Sequence, residues 1–191
     1  MLGSTLLGRT LAWHGTSDPP GGWAYSVDDH SLAELEWSRD EGLVRAESDD
    51  GVWRVRPSGG FLLRCVVSDA GEQLRLVYAG SVGRGLMESR EGRRFVLFSQ
   101  ASFREGPWVG IDDAEGTGVL RIRTRFGPGV WSEVAVTPDP TYGRHVGELL
   151  VLWGALRILE SRRPWLRWAV AATSERSTRR VLDELVASVA L

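Results

Sequence analysis

The chain has 191 residues but no lysine and no asparagine, and isoleucine occurs only three times. Such a pattern is expected of GC-rich coding and points to a bacterial source. Without lysine there is no Schiff base, no lysine general base and no phosphate-gripping P-loop lysine. The single cysteine, Cys65, excludes an internal disulfide framework. Together with three scattered histidines (His14, His30 and His145) it gives no zinc-ligand spacing. No apolar run reaches the roughly 20 residues that a membrane-crossing helix requires. The opening "MLGSTLLGRTLAWHG" lacks the apolar core and small-residue cleavage site of a signal peptide, so a cytoplasmic address is expected. A formal charge of −2 supplies no global pull toward nucleic acid or an anionic membrane, and any such affinity needs a local patch.

What the chain does have is regular punctuation. Between residues 5 and 137, clusters such as "SDPPGG", "SDDG", "PSGG", "SDAGE", "GSVGRG", "DDAEGTG" and "FGPG" recur roughly every 8 to 14 residues, as in consecutive antiparallel hairpins. The segments between them alternate. "VLRIRTRF" sets Leu120, Ile122, Thr124 and Phe126 against Arg121, Arg123 and Arg125, and "GVWRVRP" sets Trp53 and Val55 against Arg54 and Arg56. About twelve strands result, and a sheet of that size curls or splits rather than staying open. If it closes as a ring, its own inward side chains are too few to fill it, because barrel diameter grows with strand number.

The stretch "ELLVLWGALRILE", residues 148 to 160, supplies a filling. Nine of its thirteen side chains are apolar, and as a helix it carries them on every side, which is the pattern of a buried segment. The sequence therefore predicts a mainly β protein with added α structure: a roughly twelve-stranded antiparallel closed barrel around a central hydrophobic helix. Glu148 and Arg157 are placed near the helix ends, where the barrel mouths can wet them. The barrel with its central helix (about 142–161) is assigned to residues 1–161. Residues 162–191 form an extension with an amphipathic helix (about 174–190) whose apolar stripe is Val181, Leu182, Leu185, Val186 and Val189. "WLRWAVA", at its start, fits either a further strand or a short helix. The stripe either docks on the barrel wall or meets a second chain, a route to a homo-oligomer.

On this element order, on turns such as "SDDG" and "SDAG", and on "ELLVLWGALRILE", residues 5 to 160 resemble the tubby C-terminal domain and its relatives, the phospholipid scramblases and LURP-one-related proteins. The resemblance implies a twelve-stranded barrel wrapped around a hydrophobic helix, and a non-catalytic module that engages phosphoinositide headgroups or membranes. The chain departs from those families in having no lysine, no scramblase-like cysteine cluster, no calcium-loop motif and about thirty residues beyond the central helix. No family binding residue is carried over.

The candidate sites follow from the alternation. If their strands are neighbours, Arg54, Arg56, Arg121, Arg123 and Arg125 form a positive stripe able to fork onto phosphate oxygens; otherwise they are a solvated outer face that acids such as Glu133 neutralise. Most of the nine tryptophans are assigned to the core. Trp165 and Trp168, outside the repeated pattern, are assigned with Leu182 and Leu185 to an interface with a lipid surface or a partner. "GSVGRG" has the wrong glycine spacing for a phosphate loop, and "DDAEGTG" lacks the alternating oxygens of a calcium loop, so both are expected to be turns. No metal, cofactor or nucleic-acid motif is present. A binding or scaffold module for an anionic lipid headgroup or a protein partner, peripheral at the membrane, is the leading expectation. A barrel carrying a small hydrophobic ligand requires instead an open lumen. An enzyme requires a histidine converging with carboxylates in a cleft.

Overall fold

In the computed structural model, which describes residues 6–15, 22–28, 30–48, 51–59, 62–81, 83–102, 106–125, 131–162 and 175–189, the alternating segments are strands. They are β1 (Thr10–Gly15), β2 (Trp23–Val27), β3 (His30–Ser38), β4 (Leu43–Ser48), β5 (Gly51–Ser58) and β6 (Leu63–Asp69). The second half holds β7 (Leu74–Ser81), β8 (Arg84–Ser89), β9 (Arg94–Ser102), β10 (Gly106–Asp113), β11 (Gly118–Arg125) and β12 (Trp131–Val136). Each pairs antiparallel with the next, and β1 pairs with β12, Thr10 opposite Ala135 and Trp13 opposite Ser132, which closes the ring. Closure leaves no sheet edge with unpaired backbone groups. Along β6, Leu63, Cys65 and Val67 are buried while Arg64, Val66 and Ser68 are half-buried on the other face. Burial pushes the Cys65 thiol up, so it stays a neutral apolar filler.

The turns are held by short acceptors at the strand ends. Asp69 accepts from the amides of Gly71 and Gln73, both at 3.0 Å, and Asp113 from those of Glu115 at 2.9 Å and Thr117 at 2.8 Å. These Asx turns account for "SDAGE" and "DDAEGTG". Gly116 in the second adopts φ +86°, a left-handed conformation that other residues rarely hold.

After β12, a short 3₁₀ turn (Pro140–Tyr142), capped by Asp139 accepting from the Thr141 amide at 2.8 Å, reverses the chain into helix α1 (Gly143–Arg162). Every residue of α1 from Leu149 to Leu156 is buried. They share one core with inward residues from all twelve strands, among them Leu11, Leu35, Val55, Leu76, Leu97, Ile122 and Val134. The closest approach is at Gly154, where an added Cβ would lie 2.8 Å from the Trp13 ring and 2.9 Å from Leu35. The Tyr25 hydroxyl donates to the Leu150 carbonyl at 2.8 Å, tying the wall to the helix backbone, and burial pushes its pKa far up, so it stays a donor. Leu6, 2% exposed, seals the mouth where the helix enters, held there as the Gly8 amide donates to the Thr137 carbonyl at 3.1 Å. A gap between Leu6, Leu11, Tyr25 and Leu150 measures about 10 Å³, at the lower limit for one water.

One placement differs from expectation. Glu148 is buried rather than wetted, because His145 one turn earlier supplies its partner at 3.2 Å. Arg157 is half-buried and bonded to Glu160.

Helix α2 (Glu175–Val189) lies against the outside of the barrel on β7 and β8. Val181, Leu182 and Leu185 pack on Val77 and Ala79 of β7, which is why that strand reads as a continuous apolar run: both of its faces are covered. Salt bridges from Asp183 to Arg94 at 3.3 Å and from Glu184 to Arg64 at 3.9 Å fix the register. The assignment of Leu182 and Leu185 to an interface with a partner is therefore corrected. Both are buried against Val77 and Ala79 of their own barrel. Trp165, Trp168 and "WLRWAVA" lie outside the described residues. Trp13 and Trp153 are core; Trp23, Trp37 and Trp53 are partly buried against it, and Trp108 is half-buried on the outer wall.

The tight fit at Gly154 gives a test. Gly154→Val is expected to lower stability in urea denaturation by about 2 kcal/mol or more through overpacking. On an exposed helix the same change would be neutral or stabilising by a few tenths of a kcal/mol, since glycine is the poorer helix former.

Candidate functional site

A filled barrel leaves its outer wall and its mouths for chemistry. The proposed stripe of five arginines is not formed. In a sequential closed meander, β5 and β11 are separated by β6 to β10 on one side and by β4, β3, β2, β1 and β12 on the other, so they stand on opposite walls. Arg54 and Arg56 thus face away from Arg121, Arg123 and the backbone position of Arg125. Arg54 is half-buried and pairs with Glu72 at 3.7 Å, and Arg56 is exposed.

A different row takes the stripe's place. Cross-strand register puts Arg84 of β8 opposite Phe98 of β9, Phe98 opposite Gly110 of β10, Gly110 opposite Arg121 of β11, and Arg121 opposite Ala135 of β12. These outward positions form one line across five strands. Gly110 makes room for the aromatics: a Cβ there would come within 2.5 Å of the Phe98 ring and 2.9 Å of the Trp108 ring. Phe98 meets Trp108 edge-on at 5.5 Å, and the Arg121 guanidinium stands 5.3 Å from the Trp108 centroid and 5.6 Å from that of Phe98. Such cation–π contacts hold an arginine in place at a modest gain of about 0.5–1 kcal/mol when exposed.

Arg121 also bonds the Asp112 carboxylate, and Arg123 lies opposite Glu133 in the register. Arg84 is exposed and has no carboxylate partner among the described residues. Beside the row runs an open groove of about 410 Å³ lined by Trp108, Arg121, Arg123, Glu133 and Thr10. Sequence reasoning found Arg121 and Arg123 but missed Arg84 and Phe98. Adjacency in a meander would have been the signal, since β8 to β11 are consecutive.

"GSVGRG" is the β7–β8 connection, and its outer glycines have a packing role. The buried Tyr78 ring occupies the space a Cβ on Gly85 would need, and its hydroxyl donates to the Ser81 carbonyl.

The entry mouth gathers three of the buried ionisable groups, Asp113, His145 and Glu148. The His145 ring is 6% exposed, with Nδ1 3.2 Å from Glu148, Nε2 3.7 Å from Glu91 on the β8–β9 turn, and its edge against Phe95. Both nitrogens face carboxylates, so the imidazole clamps helix to turn. His14 sits near Ser26, and His30 is exposed. Next to this clamp the Tyr142 hydroxyl donates to Asp113 at 2.6 Å, and Arg93 stacks 4.3 Å over the Tyr142 ring. Burial alone would push the Asp113 carboxyl up. The Tyr142 hydroxyl, the amides of Thr117 and Glu115 and the nearby Arg93 outweigh it and hold the group below the usual carboxylate range. Both Asp113 oxygens are thus engaged in protein hydrogen bonds. Among the described residues no group of three or more His, Cys, Asp or Glu is arranged to hold a metal ion.

A lowered carboxyl pKa contributes stability that is present above the unfolded-state value, near pH 4, and lost as pH falls through the folded one. Tyr142→Phe is expected to cost about 1.5–3 kcal/mol at neutral pH, the range for a hydrogen bond to a charged group, and progressively less below about pH 4. Urea denaturation of both proteins across that range checks it; an equal deficit at every pH contradicts the linkage. Among the described residues no helix is long and apolar enough to cross a membrane. No family model, no curated protein and no solved structure matches the chain.

Proposed function

We propose that the protein is a non-catalytic recognition module on a tubby- and scramblase-like barrel, and that it docks on anionic membrane surfaces through the outer wall of β8 to β11. The observation that carries this is the row Arg84, Phe98, Gly110 and Arg121, with Trp108 and Arg123 beside it. Half-buried aromatic rings suit the headgroup region, where an amphipathic ring is favoured, and guanidinium groups fork onto phosphate oxygens. Each basic residue close to an anionic surface contributes about 1 kcal/mol, and Asp112 and Glu133 subtract from that, so the docking is modest and salt-sensitive. The plan of a barrel around a hydrophobic helix supports the kinship. The filled interior speaks against a carrier of hydrophobic ligands, whose lumen would have to be open.

Co-sedimentation with vesicles of phosphatidylcholine alone, or mixed with phosphatidylserine, tests this. Binding is expected only to the mixed vesicles and is expected to fall at high salt. Arg84→Gln should weaken it about fivefold, the equivalent of 1 kcal/mol. Arg54→Gln and Arg56→Gln, on the opposite wall, should leave it unchanged. Equal binding to both vesicles contradicts recognition of an anionic surface, and binding to neither contradicts membrane docking and directs the search to a protein partner.

A further inference from the structure

Between the N-terminal half of α2 and the outer faces of β8 and β9 lies a second groove, about 300 Å³ in volume. It exists because α2 leans on β7 and β8 through Val181, Leu182 and Leu185, and reaches β9 through the Asp183–Arg94 bridge. The floor is apolar: Leu86 and Val96 stand opposite each other in the register, both half-buried, with Leu182 on the helix side. The rim carries Arg84, Arg94 and Arg179 against one carboxylate, Glu175, which lies 3.4 Å from Arg179.

α2 opens "ERSTRR", placing Arg176, Arg179 and Arg180 in its first six residues. There the helix dipole favours anions, and each cation is mildly unfavourable. Arg180 is balanced by Glu184 at 3.5 Å, and Arg94 by Glu88 at 2.7 Å. Of the three rim arginines, Arg84 has no carboxylate partner among the described residues, while Arg94 and Arg179 each have one or more. An anion in the groove would partner Arg84 beside the first turn of α2.

We propose that this groove binds one single-chain amphiphile with an anionic phosphate or carboxylate head. The head lies between Arg84 and Arg179, where a planar guanidinium can grip two oxygens, and the chain runs over Leu86, Val96 and Leu182. The volume is at the small end of the roughly 300–1,000 Å³ spanned by ligand pockets, which suits one chain rather than two. Arg94, fixed by Glu88 and Asp183, borders the site as a positioned positive charge.

Titration calorimetry without vesicles tests the proposal, with octyl phosphate below its micelle concentration, inorganic phosphate and octyl glucoside as probes. Octyl phosphate is expected to bind at least about tenfold tighter than either of the others, since it alone combines an anionic head with a chain. Arg179→Gln should weaken it about tenfold, the loss of one hydrogen bond to a charged group. Val96→Asp, on a half-buried floor position, should weaken it by a similar factor. Equal affinity for octyl glucoside, equal affinity for inorganic phosphate, no binding of octyl phosphate, or two variants that bind like the parent would each overturn it. Arg179 and Val96 lie outside the row from Arg84 to Arg121, and no bilayer is present. Failure here therefore leaves vesicle docking intact, and failure of vesicle docking leaves this site intact.

Discussion

A closed ring of twelve strands cannot fill its own interior, and the rest of the molecule follows from that constraint. Inward side chains such as Leu35, Val55 and Leu97 reach only part of the way to the axis, and a lumen lined by them would be costly to leave wet or empty. α1 removes the problem by carrying apolar side chains on every side. At about 1.5 Å per residue its twenty residues run about 30 Å, enough to thread the ring from mouth to mouth. Gly154 is where helix and wall come closest, and the Tyr25 bond to Leu150 shows that even the backbone of α1 is addressed by the wall. Wall and rod stabilise each other, because neither can bury its apolar surface alone.

Sealing the axis displaces polar function to the periphery. Polar and charged residues that enter with the helix find partners in place: Glu148 bonds His145, Glu160 bonds Arg157, and Arg162 stands over the Trp37 ring at 5.4 Å. The outer wall is unequal around its circumference. One sector, on β7 and β8, is covered by α2. The adjoining sector, from β8 to β11, carries aromatic rings and arginines in register, and the opposite sector carries Arg54 and Arg56 with acids such as Glu47 and Glu72 nearby. Recognition is therefore a matter of which sector is presented, and the two proposed sites meet at Arg84.

Much of the architecture was legible in the sequence because it rests on local periodicity. Alternation in "VLRIRTR" and the regular turn clusters define the strands, and a helix without a polar face has only the barrel axis to occupy. The surface was less legible because it depends on pairing between strands. The two arginine-rich strands look alike as text, yet sequential pairing places them six steps apart, a consequence available from the meander itself. The row through Arg84, Phe98, Gly110 and Arg121 needs the exact register, which single-residue shifts such as the one between Ile111 and Asp112 make unreadable from sequence. The spacing of His145 and Glu148, three apart on a helix, was readable, but the contribution of Glu91 from a distant turn was not. "GSVGRG" is the turn that its spacing implied, but its glycines also make room for Tyr78, a packing role that motif spacing does not encode.

Amide hydrogen exchange along α1 tests the threaded helix most directly. If the helix lies on the axis of a closed ring, the amides of Leu149 to Leu156 should exchange only through global unfolding, with protection equal to the full unfolding free energy and as great as that of the inner strands. Exchange of those amides at the faster rate of a surface helix such as α2, while the strands stay protected, would show that the ring is not built around the helix.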